Sequence, residues 1–128
     1  MTRIGIIIGS TRPGRLGAAV GDWTLRTAVG FGHPGVTYEL VDLAEFHLPV
    51  LDEPIPAMMG DYRHEHTRRW AERIGSLDGF IVVTPEYNHS APGSLKNAID
   101  YLFAEWNDKA AGFVSYGVHG GVRAVENL

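Results

Sequence analysis

Ile4-Gly5-Ile6-Ile7-Ile8-Gly9-Ser10-Thr11-Arg12-Pro13-Gly14-Arg15-Leu16-Gly17 joins a β-branched run to a polar, glycine-bounded loop. The run shows no apolar/polar alternation, so it predicts a strand covered on both faces, as in a parallel sheet. Gly9 stops it. Leu16, Ala19, Val20 and Trp23 then recur at helical spacing, which predicts a first helix reaching about Val29 before Gly30 and Gly32 break it.

The pattern repeats outward from there. Val36 to Leu43 alternates more and reads as an outer strand, whereas Ala44 to Asp61 carries Pro49, Pro54 and Pro56 and reads as a loop. A loop of this length inside one domain points to a binding or subunit-contact role. Trp70, Ile74 and Leu77 mark one face of a second helix, with Arg68, Arg69, Glu72 and Arg73 largely on the other. Gly79 to Thr84 is a second buried-strand run ending at Pro85. Ser94 then caps a helix whose stripe is Leu95, Ala98, Ile99, Leu102 and Phe103. Ala110 to Tyr116 is a fourth strand, and Gly120 to Leu128 opens another helix. Such βαβαβαβ order predicts an α/β fold: a parallel sheet with right-handed crossovers and helices on both faces. Ligands of such sheets bind outside the carboxyl ends of the strands, so the loops starting at Gly9, Pro85 and Gly117 are the places to search.

Composition narrows the class. The 128 residues suit one domain, 1–128, with 45% hydrophobic and 20% charged residues, ordinary soluble usage. A net charge of −4 without a cationic run argues against nucleic acid as partner. With no cysteine, disulfides, thiolate metal sites and cysteine nucleophiles are excluded. No stretch approaches the roughly 20 apolar residues of a membrane span, so a membrane partner is not expected and the cytoplasm is the expected location.

Gly9 to Gly17 suits a phosphate: helix-start amides and the positive end of the helix dipole, hydroxyls on Ser10 and Thr11, and the planar forks of Arg12 and Arg15. The loop has neither the Lys-Ser/Thr ending of the nucleotide P-loop nor the glycine spacing of the dinucleotide fingerprint. Pro85-Glu86-Tyr87-Asn88-His89-Ser90-Ala91-Pro92-Gly93-Ser94 can offer backbone amides and Asn88 to the edge of a flat polar ring, with Tyr87 near its face. Taken alone, each loop also fits an ordinary strand-to-helix turn.

The first loop, followed by Pro85-Glu86-Tyr87-Asn88 and Pro92-Gly93-Ser94-Leu95-Lys96-Asn97-Ala98-Ile99-Asp100, resembles the NADPH-dependent FMN reductase family over essentially the whole chain. That family includes quinone, azo-dye and chromate reductases. The resemblance implies a flavodoxin-like three-layer sandwich of strand order 2-1-3-4, non-covalent FMN, and NADPH or NADH as electron donor to a small-molecule flavin, quinone or azo acceptor by a ping-pong route. It implies that Ser10, Arg12 and Arg15, with the amides of Leu16 and Gly17, hold the phosphate. Pro85, Glu86, Tyr87 and Asn88 would border the isoalloxazine ring, and Ser115, Gly117 and Gly120 of the third loop its other edge. No side chain is assigned a catalytic role, because the flavin carries the chemistry. The family normally continues through a fifth strand and helix, which residues 1–128 would lack. It also forms homodimers or homotetramers, for which the Pro49 to Pro56 loop and the helix bearing Trp106 are the candidate contacts.

Rival readings remain at this stage. A flavin-binding electron carrier or sensor without its own turnover fits the same loops. A hydrolase lacks the Gly-x-Ser-x-Gly elbow. A metal at His64 and His66 is disfavoured because i and i+2 on a helix point apart. Trp23, Trp70 and Trp106 read as core or subunit packing.

Overall fold

A computed structural model describes residues 1–128. Four strands, β1 (Thr2–Ile8), β2 (Val36–Asp42), β3 (Gly79–Pro85) and β4 (Ala110–Tyr116), form one all-parallel sheet in the order β2-β1-β3-β4. Between and after them run α1 (Gly17–Gly30), α2 (Glu65–Gly75), α3 (Gly93–Asp100) and the short α4 (Val122–Glu126). β1 lies centrally, with Ile6, Ile7 and Ile8 at most 3% exposed, as a run without alternation requires. β4 is an edge, and Ala110 to Phe113 are exposed along it. No helix is long and apolar enough to cross a membrane.

The main core lies where α2 and α3 cover the sheet. Trp70 (1% exposed) is its largest member, packing edge-on against Phe46 and Trp106 and donating its indole N–H to the Ala98 carbonyl at 2.9 Å. α1 packs differently from the reading of its apolar residues. It turns Gly17, Gly21, Thr24 and Ala28 to the protein, leaving Leu16 and Trp23 more than half exposed. Close approach is the reason: a Cβ on Gly21 would stand 2.7 Å from Ile8 Cδ1. Thr24 satisfies its own hydroxyl by donating to the Val20 carbonyl at 2.8 Å.

Three further expectations need correction. Ser94 does not cap α3; extended Pro92 does, and its carbonyl accepts from the Leu95 and Lys96 amides. The Ser94 hydroxyl instead donates to the Gly9 carbonyl at 3.1 Å. The stripe also outruns the helix: α3 ends at Asp100, Leu102 is buried beyond it, and Phe103 is exposed. Trp106 therefore sits in a separate 3-10 turn, Ala104–Trp106, where it packs edge-on to Phe80 and donates to the Ile99 carbonyl rather than presenting a helix face.

The proline-rich segment is folded back on α2 and α3, with 3-10 turns at Leu43–Phe46 and Ala57–Met59. Asn97 Nδ2 donates to the Pro49 carbonyl and Asn97 Oδ1 accepts from the Leu51 amide. The Tyr101 hydroxyl shares its one proton between the Pro49 carbonyl at 3.0 Å and Asp52 Oδ1 at 2.9 Å; burial first, then the Asp52 carboxylate, pushes this phenol up to about 12, so it remains a donor. His64 precedes α2 in extended conformation, so the helical i, i+2 argument does not apply. The His64 and His66 rings stack 5.1 Å apart, and both Nε2 atoms face Asp52. No group of three His, Cys, Asp or Glu side chains is arranged to hold a metal ion.

The two tryptophans separate these packing faces. Trp70→Ala is expected to cost about 3–5 kcal/mol as a large core truncation. Trp23→Ala should stay within about 0.5 kcal/mol as a surface change. Urea denaturation of each variant measures both, and a large loss at Trp23 would contradict the small-residue face of α1.

Candidate functional site

Three adjacent strands, β1, β3 and β4, deliver their following loops to one end of the sheet, with Pro85 opposite Tyr116 in register. Gly9 continues the ladder by donating its amide to the Val83 carbonyl at 2.9 Å. All twelve residues singled out from the sequence lie on these three segments.

In the first loop the Ser10 hydroxyl is the exceptional group. Its residue is 1% exposed, and Oγ has no hydrogen-bond partner in the protein. Such orphans are rare, because a buried polar atom without a partner costs about 1–3 kcal/mol. It lies at the start of α1, so close to Gly17 that a Cβ there would overlap it; the same Cβ would stand 3.2 Å from the Tyr116 hydroxyl. α1 begins after Leu16 without a side-chain cap, so its first-turn amides have no intrahelical acceptor. Free amides, the positive end of a 14-residue helix and an unpartnered hydroxyl thus converge, a ready anion site.

The two arginines diverge. Arg12 is exposed and touches only the Pro13 carbonyl, at 3.2 Å. Arg15 donates from Nη1 to the Ser10 carbonyl at 2.6 Å, and its fork grips Asp42 at 2.7 and 2.6 Å. The expectation of a free Arg15 fork therefore needs correction: Asp42, at the end of β2, fills it. Tyr116 was missed from the sequence. Its signal was its place as the last residue of β4, at the carboxyl edge of the sheet.

In the second loop Pro85 is buried, and Tyr87 and Ser90 exchange both backbone hydrogen bonds at 2.9 and 3.0 Å. Asn88 (φ 49°) and His89 (φ 62°) between them form the exposed tip, as a two-residue turn with both central φ positive requires. Glu86 points back inside: its Oε1 accepts from the Arg123 amide of α4 at 3.0 Å. In the third loop the Ser115 hydroxyl donates to the Gly120 carbonyl at 2.7 Å, and the Gly120 amide to the Gly117 carbonyl at 3.1 Å. Gly121 (φ 75°) is buried where a Cβ would stand 2.7 Å from that of Ser115, so only glycine closes this turn.

The Arg15 hydrogen bond holds the Asp42 carboxyl below its ordinary 3.8. A folded pKa below the unfolded one means that the stabilisation is fully present above 3.8 and is lost as pH falls through the lower folded value. Asp42→Asn should cost about 1.5–3 kcal/mol at neutral pH, the worth of a charge-assisted hydrogen bond in this half-buried place. Urea titrations across acid pH should show the gap between wild type and variant shrinking below 3.8; a gap independent of pH would contradict the assignment.

The whole chain has relatives. Residues 2–128 match the family described as NADPH-dependent FMN reductase. An NAD(P)H-dependent FMN reductase of a Nectria species is 41% identical over all of this chain and 66% of its own length. One from Schizosaccharomyces pombe is 44% identical over 93% of this chain and 60% of its own. The chain thus spans about two thirds of the length of these relatives. A quinone reductase of Escherichia coli is 47% identical over 45% of the chain. Among solved structures, a flavoenzyme NAD(P)H:(acceptor) oxidoreductase from Paracoccus denitrificans superimposes with a TM-score of 0.67 at 26% identity, over 97% of this chain and 66% of that one. With a flavodoxin-like 2-1-3-4 sheet and a match that runs the length of the chain, this protein belongs to the NADPH-dependent FMN reductase family.

Proposed function

We propose that the chain forms the FMN-binding part of an NAD(P)H-dependent oxidoreductase that reduces a small flavin, quinone or azo-type acceptor. The observation that carries this reading is the buried, unpartnered Ser10 hydroxyl beside the free amides of α1. These groups fit a phosphate dianion: the hydroxyl donates one hydrogen bond, the Leu16 and Gly17 amides donate along the helix axis, and exposed Arg12 can close over it. Gly17 keeps the cradle open, since any side chain would fill it.

Bound FMN would supply the redox chemistry, accepting a hydride from NAD(P)H and passing two electrons to the acceptor. The protein's part is to bind, orient and polarise. Amides of the second and third loops can favour negative charge at the ring edge they border, and donor and acceptor would use one remaining face of the ring in turn. A single shared face supports ping-pong kinetics.

Parallel initial-rate lines for NAD(P)H and a quinone or flavin are therefore expected from flavin-loaded protein; intersecting lines would contradict a shared face, and no turnover would leave an electron carrier. FMN should bind orders of magnitude more tightly than riboflavin. Ser10→Ala should raise the stability of the flavin-free protein by about 1–3 kcal/mol, because it removes a buried hydroxyl that has no partner, while weakening FMN by about tenfold or more. Equal affinities for FMN and riboflavin would remove the phosphate assignment. We also propose that a second copy of the chain, or a further strand, covers the exposed β4 edge, since open apolar edges invite pairing. Where a second copy is the cover, sedimentation at low micromolar concentration should give a dimer or tetramer, and a stable monomer would overturn assembly through that edge.

A further inference from the structure

Glu86 belongs to the second loop, yet its carboxylate serves another segment. The side chain is 11% exposed, and Oε1 accepts from the Arg123 amide at 3.0 Å. That amide lies in the first turn of α4, whose N-cap is Gly121 (φ 75°) and which has no side-chain cap of its own. First-turn amides need an acceptor, and an anion there also meets the positive end of the helix. Two further contacts hold the same segments together. A Cβ on Gly117 would stand 3.7 Å from Glu86 Cβ, so the third loop passes directly over this residue. At the other end of α4, Asn127 Nδ2 donates to the His89 carbonyl at 3.2 Å, holding the exposed tip of the second loop. The Arg123 guanidinium adds little: Nη1 is 3.7 Å from Glu86 Oε2, and it is a buried atom without a hydrogen-bond partner.

We propose that Glu86 is a positioning residue: its carboxylate caps α4 and so fixes how the third loop sits against the second. This rests on the reading above, in which those loops border the flavin ring. The carboxylate itself does not touch the ring; it acts through the Arg123 amide. The relative position of these two loops concerns the ring and not the phosphate, whose cradle would be in the first loop. Loss of the cap therefore weakens FMN and riboflavin by the same factor.

The test uses flavin titration of the wild type and of five variants. Glu86→Ala is expected to weaken both flavins by about tenfold, the size of one lost helix cap, with the FMN-to-riboflavin ratio unchanged. Glu86→Gln keeps an acceptor oxygen in place and should restore most of the affinity. Arg123→Pro removes the amide donor at the second position of α4 and should reproduce Glu86→Ala. Arg123→Ala keeps the amide and should weaken binding far less. The double variant Glu86→Ala/Arg123→Pro should be no worse than either single one, the mark of two groups acting as one contact.

Amide hydrogen exchange at Arg123 in flavin-free protein gives a second readout, and it should quicken in Glu86→Ala. Full flavin affinity in Arg123→Pro with a loss in Glu86→Ala would overturn the proposal, since Glu86 would then act on the ring directly. Unchanged affinity in Glu86→Ala would overturn it as well. If the wild type bound no flavin, the functional reading would fail instead, and the exchange experiment would still decide whether Glu86 caps α4.

Discussion

Burial of β1 on both faces is the constraint on which the rest of the chain depends. A strand whose Ile6, Ile7 and Ile8 are all hidden must have a layer on each side, and the two layers solve the problem differently. On one side α2 and α3 bring large residues, Trp70, Ile74, Leu95 and Tyr101, into one apolar cluster. On the other, α1 comes close by presenting almost no side chain, with Gly17 and Gly21 set against Ile8. That close approach also brings the start of α1 down onto Ser10. The packing of the central strand and the shape of the proposed anion cradle are therefore one feature.

The loops at the carboxyl end divide their polar groups between holding one another and remaining free. Arg15 ties the first loop to Asp42, Ser94 ties the start of α3 to Gly9, and Glu86 ties the second loop to α4. These side chains are used up inside the protein. The Ser10 hydroxyl and the first amides of α1 have no such partner, and Arg12 touches only its neighbour's carbonyl. Rigid neighbours with a few unsatisfied donors between them are the preorganised arrangement that binding a charged group demands.

The proline-rich segment contributes to that rigidity. Asn97 reads the backbone of Pro49 and Leu51 with both ends of its amide, and Asp52 gathers His66 and Tyr101. Its length pointed to a binding or subunit-contact role. Within the chain its hydrogen bonds secure α3, the helix that leads out of the second loop.

The sequence by itself determined the strands and their parallel arrangement, because apolar runs, helical stripes and glycine-marked breaks are local signals that need no knowledge of neighbours, whereas the 2-1-3-4 order came with the family resemblance. The Pro85 to Asp100 motif went further and carried the family. The tertiary structure decided which face of α1 is buried, since Leu16 and Trp23 satisfy helical periodicity as well as Gly17 and Gly21 do, and only the distance to Ile8 chooses between them. It also decided the fates of Arg15, Glu86 and Tyr116. Their residue types fit a binding role, but what each side chain touches depends on Asp42, Arg123 and Gly17, which are 27, 37 and 99 positions away and meet them only when the sheet is assembled.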